Sequence, residues 1–272
     1  MALLLASRLP PLEARVLAGL VETQDAAASL ASAAAEGDEG SRAQLARLIS
    51  AATYKECHSI FKAVYQDYTS DRSKEIARQN VLRQGDAAAA ESLSSKIYGE
   101  VEYYSFANLL ERADIQEGET LFDLGSGTGK ALVAASLLFG DRLAVAEGVE
   151  LLEDLQALAD TALAAYRATL ATREELFASR TSCELRANQG DFLEEKWAAR
   201  WTAADIVFAN STCFDLELMQ HIAVLAERMR VGTRVITFTR SLPSNAFEIV
   251  EKVNLGMSWG VATCYIHRRI NP

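Results

Sequence analysis

Residues 120–139, "TLFDLGSGTGKALVAASLLF", run from a short apolar stretch through three glycines in five positions into an apolar, helix-forming stretch. Strand, tight turn and helix form the context in which a glycine-rich loop brings backbone to a ligand. Gly125 allows the sharp turn, and Gly127 and Gly129 let backbone amides approach a bound group. Outward from this loop, short apolar runs recur at 142–150, 183–191, 204–210 and 233–239, and a last pair stands at 247–255 and 261–267. Helical stretches separate the first five: 130–139, a long one at 151–178, a short one at 194–201, and one at 215–229. That alternation predicts an α/β fold, a parallel sheet with helices on both faces. The last two runs are joined only by "GMSWG", too short for a right-handed parallel crossover, so they should pair antiparallel and complete a seven-stranded sheet.

Residues 1–97 have another texture, rich in alanine and without strand signal. In "RAQLARLISAATYKECHSIFKAVYQDY" (42–68), Leu45, Leu48, Ile49, Ala52, Cys57, Ile60, Phe61, Val64 and Tyr68 fall near one helical stripe. The reading is a helical N-terminal domain over 1–97 and an α/β domain over 98–272, with "AAASLASAAAEGDEGS" (26–41) as a surface helix ending in a loop. The apolar start is a buried helix beginning rather than a targeting signal, because no basic segment precedes it and Arg8, Pro10 and Pro11 interrupt it. No stretch reaches the ~20 apolar residues of a membrane span. The net charge of −10 argues against strong intrinsic DNA binding. Four scattered cysteines and three scattered histidines point to reduced thiols, with no disulfide framework and no metal site.

The glycine spacing separates candidate ligands. A dinucleotide fingerprint needs glycine at 130, where Lys130 stands, and Asp123 lies two residues ahead of the first glycine. A carboxylate at a strand tip repels a pyrophosphate and suits a cationic amino group; S-adenosylmethionine carries an ammonium and a sulfonium and no phosphate. Glu150 closes the second strand, where a carboxylate can accept from both ribose hydroxyls. Asp191 closes the third and can take an adenine amino group, with Phe192 placed to cover the ring. Taken singly, these residues also read as a structural turn, a helix cap and a core phenylalanine. Three acidic strand ends in this order favour S-adenosylmethionine, with S-adenosylhomocysteine as product.

"YGE" (98–100), "DLGSGTGKALVAAS" (123–136), "GVE" (148–150), "GDFLEEKW" (190–197) and "VFANSTCF" (207–214) follow in the order of the Dot-one family of non-SET histone lysine methyltransferases. "SIFKAVYQDYTSD" (59–71) and "SWGVATCYIHRR" (258–269) are similar to that family's flanking segments, so the resemblance covers roughly residues 55–270. It implies a class I methyltransferase, with Tyr98, Gly99 and Glu100 over the methionine end of the cofactor. Asp123, Gly125 and Gly127 would hold the amino-acid portion, with Ser126, Gly129 and Lys130 completing the loop's set. Glu150 would hold the ribose, and Asp191 with Phe192 the adenine. Asn210 matches the asparagine at the methyl-transfer site, where it also borders the cofactor; Tyr98, Phe214, Trp259 and Tyr265 would join it in the catalytic set. The implied substrate is a lysine in the globular core of histone H-three, free or in a nucleosome, and the implied compartment the nucleus. Without the histone substrate the compartment would be the cytoplasm; secretion is not expected in either case.

The sequence departs from the family at Val101, where threonine is usual, at Leu93, where an aromatic precedes "YGE", and at Lys130, where an uncharged polar residue is common. Aligned on "YIH", Cys264 stands in place of a channel tyrosine, a role left to Tyr265. No lysine-rich run follows "HRRINP". The alternatives are a methyltransferase for a non-histone protein lysine or another acceptor, and a catalytically inactive cofactor-binding regulator.

Overall fold

The computed structural model describes residues 5–7, 9–68, 70–83, 102–257 and 260–271. The sheet has seven strands: β1 (Thr120–Leu124), β2 (Val145–Glu150), β3 (Glu184–Gln189), β4 (Ile206–Ala209), β5 (Arg234–Phe238), β6 (Phe247–Met257) and β7 (Gly260–Arg269). Their spatial order is β3-β2-β1-β4-β5-β7-β6. β1 to β5 run parallel, and β7 inserts antiparallel between β5 and β6. This is the expected α/β architecture, with the last strand reversed. β1 lies next to β4, so the strand order reverses beside the glycine loop, and a crevice opens past the carboxyl ends of the strands.

The helices are α1 (Pro11–Thr23), α2 (Asp25–Glu36), α3 (Glu39–Val64), α4 (Ser70–Arg83), α5 (Tyr103–Arg112), α6 (Lys130–Phe139), α7 (Glu153–Ala171), α8 (Glu174–Thr181), α9 (Glu195–Trp201) and α10 (Leu216–Ala226). Alternate strand residues face opposite cores. Leu121, Ala146, Leu185 and Phe208 join α5–α8, whereas Phe122, Val149 and Val207 join α9 and α10. The first cluster continues without a gap into Leu12, Leu17, Leu45, Ile49 and Ile60 of α1 and α3. α3 packs on α6 and α7, α4 on α7, and α1 on α8. The N-terminal helices thus form an extra layer over one face of the sheet, on the same side as the glycine loop's helix.

Three local readings change. The stretch 151–178, expected as one helix, is two, broken at Thr172 and Arg173. The Thr172 hydroxyl donates to the Thr169 carbonyl, a local bond that competes with helix propagation, and the turn lets Phe177 and Arg180 bury against α1 and α6. The alanine-rich segment is a helix as expected, and its change is one of packing: it buries Ala27, Ala31 and Ala34 along one side of α2 and stops at Gly37 in the left-handed conformation. The closing hairpin strands are longer than their apolar cores. Among the described residues, no helix is long and apolar enough to cross a membrane.

Candidate functional site

The glycine loop leaves β1 and folds back on β2. Gly125, Gly127 and Gly129 have φ of 79°, 55° and 77°, a region that L side chains rarely enter. The amides of Gly125 and Ser126 both donate to the Val149 carbonyl, pinning the loop across the neighbouring strand tip. This close approach needs Gly148, where a Cβ would sit 2.5 Å from that of Ser126. Gly148 was not among the residues expected at the site, although its place between two glutamates in "EGVE" is the signal. Gly129 has a different task. A Cβ there would meet Leu163 at 3.1 Å, so this glycine seats the loop on α7 rather than facing the cavity.

Beyond the strand tips lies a cavity of about 430 Å³. Asp123, Gly125, Ser126, Gly127 and Lys130 from β1 and its loop, Glu150 and Leu152 from the tip of β2, Asp191 and Phe192 after β3, and Asn210 with Phe214 after β4 all line it. Ten of the residues singled out from sequence therefore meet in one space. Tyr98, Gly99, Glu100, Val101, Leu93 and Trp259 lie outside the described residues. Tyr265 is not among the residues that line the cavity: on β7 it pairs with Thr237 of β5, half-buried, with the Lys252 ammonium 5.5 Å from the centre of its ring. Cys264, its neighbour, is fully buried in the main core opposite Phe238.

The electrostatics point to a cationic guest. Asp123 is buried and one of its carboxylate oxygens has no hydrogen-bond partner. Burial, and then the charge of Glu150, push its carboxyl well above the usual carboxylate range. Glu150 is also buried and pushed up by desolvation, against the opposing pull of the Leu152, Gly127 and Leu151 amides. Its Oε2 accepts from the Gly127 amide at 2.8 Å and its Oε1 from the Leu152 amide at 2.9 Å. Each oxygen keeps a second lone pair for a hydroxyl. Among the described residues no cationic side chain forms an ion pair with Asp123 or Glu150, and the two buried acidic groups form a cradle that an ammonium group completes. The residues present fit S-adenosylmethionine.

Asp191 Oδ1 caps its own turn by accepting from the Leu193 amide at 2.8 Å, and the Phe192 and Phe214 rings lie 5.9 Å apart. Asn210 follows β4 directly and caps the short 3-10 turn Ser211–Cys213. Ser211 ties that turn to β5: its hydroxyl donates to the Phe238 carbonyl and accepts from the Phe238 amide, each at 2.9 Å. The Thr212 hydroxyl reaches Asn210 Oδ1 at 3.3 Å. Beside it, Thr239 adopts φ 66°, an outlier for a β-branched residue, at the end of β5. Phe208, Thr212, Cys213, Leu155 and Leu218 also line the space; no spacing rule would have selected them.

Residues 78–257 match the family model of the histone methylation protein DOT1, about two thirds of the chain. The chain belongs to the DOT1 family. Among curated DOT1-type relatives, a histone-lysine N-methyltransferase, H3 lysine-79 specific, from Eremothecium gossypii is 27% identical over 166 residues, covering 60% of this chain and 28% of that protein. The Drosophila melanogaster protein of the same name is 24% identical over 162 residues, covering 60% of this chain and 8% of the relative. The chain thus spans less than a third of the length of these relatives. Among solved structures, TrmN from Thermus thermophilus is similar at 22% identity, with a TM-score of 0.47 over 64% of this chain and 50% of that one.

Proposed function

We propose that this DOT1-family chain is an S-adenosylmethionine-dependent protein-lysine N-methyltransferase acting in the nucleus on a lysine in the globular core of histone H3. The relatives' name points to lysine-79 as the position. The observation that carries the reading is the buried acidic pair, Asp123 and Glu150, lining one cavity with Asn210 within the segment matched to the family.

When bound, S-adenosylmethionine supplies a methyl group on a sulfonium and leaves as S-adenosylhomocysteine. What the chain does is align and exclude. Asp123 and the loop amides hold the amino-acid end, Glu150 the ribose, and Asp191 and Phe192 the base. The family resemblance assigns Tyr98 and Glu100 to the methionine end and Trp259 to the lysine channel; all three lie outside the described residues. Asn210 fixes the incoming amine in line with the bond to be broken, a positional task worth several orders of magnitude. No general base is needed if a desolvated lysine loses its proton to water, since burial lowers an ammonium pKa.

A second reading, a different protein lysine as acceptor, is favoured by one observation: Cys264 is sealed in the core and Tyr265 lies off the cavity, so the acceptor wall differs from the family pattern. Labelled methyl transfer to nucleosomes, histone octamer, free H3 and cell extract in parallel separates the two. Label on H3, located by mass spectrometry, supports the first reading; label on an extract protein alone replaces it with the second. No transfer to any acceptor, with cofactor bound, overturns both in favour of a regulator.

A further inference from the structure

The N-terminal helices meet the glycine loop directly. Tyr65, the residue that ends α3, is buried, and its hydroxyl donates to the Thr128 carbonyl in the centre of the loop at 3.2 Å. The same oxygen would lie 3.7 Å from a Cβ on Gly129. Three residues on, the Tyr68 carbonyl accepts from the Lys130 ammonium at 3.2 Å, and that ammonium also lies 5.4 Å from the centre of the Tyr65 ring. Lys130 lines the cavity, and its ammonium reaches the turn that follows α3. A further tie lies next to these: Arg83 of α4 pairs with Asp154 in the first turn of α7 at 2.6 Å, two residues after Leu152, whose amide holds Glu150. The Tyr65 ring is itself locked, 4.8 Å from Phe61, whose ring in turn lies 5.1 Å from Tyr103 of α5.

On the sheet side the loop is held by its amides, Gly125 and Ser126 to Val149 and Gly127 to Glu150; on the helical side the Thr128 carbonyl is held by Tyr65. We infer that Tyr65 is a positioning residue for the cofactor. Its hydroxyl and the Lys130–Tyr68 contact make the end of α3 the back wall of the glycine loop, so that cofactor affinity depends on the helical region as well as on the sheet. Linkage then runs both ways: cofactor binding tightens the junction of α3 and α4 by the same free energy that the junction lends to binding. The inference rests on the reading of the cavity as a cofactor site.

The test uses the full chain and S-adenosylhomocysteine in calorimetry, with Tyr65→Phe and, as a control on the same helix, Tyr54→Phe. Tyr54 donates to Glu111 at 2.8 Å, away from the loop. One lost hydrogen bond is worth roughly fivefold in Kd. Tyr65→Phe should therefore weaken S-adenosylhomocysteine roughly fivefold and raise the KM for S-adenosylmethionine alike, with kcat at saturation unchanged. Tyr54→Phe should leave binding at the wild-type value. Hydrogen exchange in residues 60–68 should slow when S-adenosylhomocysteine is added to the wild type, and less so in Tyr65→Phe. Equal binding by wild type and Tyr65→Phe, or equal weakening by both variants, overturns the inference. Failure of the wild type itself to bind overturns the cofactor reading instead.

Discussion

The two walls of the cavity are built by different means. The wall proposed for the cofactor is made at the tips of β1, β2 and β3, where backbone amides fix the acidic groups: Glu150 by Gly127 of the neighbouring loop and by Leu152, Asp191 by Leu193. The wall proposed for the acceptor gathers Asn210, Thr212 and Phe214 after β4, braced by Ser211 against Phe238 at the end of β5, 27 residues away. The first wall is built from the tips of neighbouring strands and the turns that follow them. The second depends on a tie between the turn after β4 and the end of β5. Cofactor recognition and acceptor choice should therefore fail independently when they are broken one at a time.

The largest expected effect breaks the acceptor wall alone. Asn210→Ala should lower the transfer rate by about 100-fold or more through lost alignment. Cofactor binding by calorimetry should stay near the wild-type value. A parallel loss of both would merge the two walls and remove the role assigned to Asn210.

The converse experiment breaks the cofactor wall. Asp123→Ala removes the carboxylate that would face the ammonium and should weaken S-adenosylhomocysteine about 30-fold, the lower range for losing one partner of a buried charge pair. The pH dependence gives an independent sign. The folded, ligand-free carboxyl of Asp123 is raised above its unfolded value, so its contribution to stability is full below the unfolded pKa and is lost as pH rises through the folded one. Ligand-free melting temperature should therefore fall with rising pH across that window, and Asp123→Asn should flatten the fall. Binding of the cationic group favours the carboxylate, so affinity should rise with pH over the same window and release a proton. A buffer-ionisation series in the calorimeter counts it; no proton release would mean that Asp123 meets no cation.

Glu150→Gln is the milder test of the same wall. The amide nitrogen would oppose one of the two backbone donors, Gly127 or Leu152, and a charge-assisted bond to the ribose would become a neutral one. Affinity should fall about tenfold with little change in the rate at saturation. A loss smaller than twofold would place the ribose elsewhere.

The contrast between the walls also explains what could be read in advance. Asp123, Glu150 and Asp191 were legible because each sits at the end of its own apolar run, and the order of the runs is the order of the tips. The break in 151–178 was not, because it depends on Phe177 and Arg180 finding α1, which joins from the other end of the chain. The contact between Tyr65 and Thr128 spans 63 residues and has no motif. Cys264 and Tyr265 show the same limit at the finest scale. In a strand, successive side chains point to opposite faces, so a register shift of one residue decides which of the two enters the core. Pairing of β7 with β5 sets Cys264 against Phe238 and Tyr265 against Thr237, a relation that only the assembled sheet defines.

That pairing leads to the smallest predicted effect. If the cavity ends where its described lining ends, the Tyr265 hydroxyl takes no part in transfer, and Tyr265→Phe should keep rate and KM within about twofold of wild type, the usual range for a partly exposed substitution away from a site. The ring would remain to pack under Lys252, so stability should hold as well. A fall in the transfer rate of tenfold or more, with cofactor affinity unchanged, would bring Tyr265 into the acceptor channel when protein substrate is bound. The acceptor wall would then extend across β5 to β7, and the family's channel tyrosine would have a replacement one residue along the strand. An unchanged rate would leave Asn210 and its turn as the polar part of that wall within the described residues, and acceptor choice would then rest on a surface unlike that of the relatives.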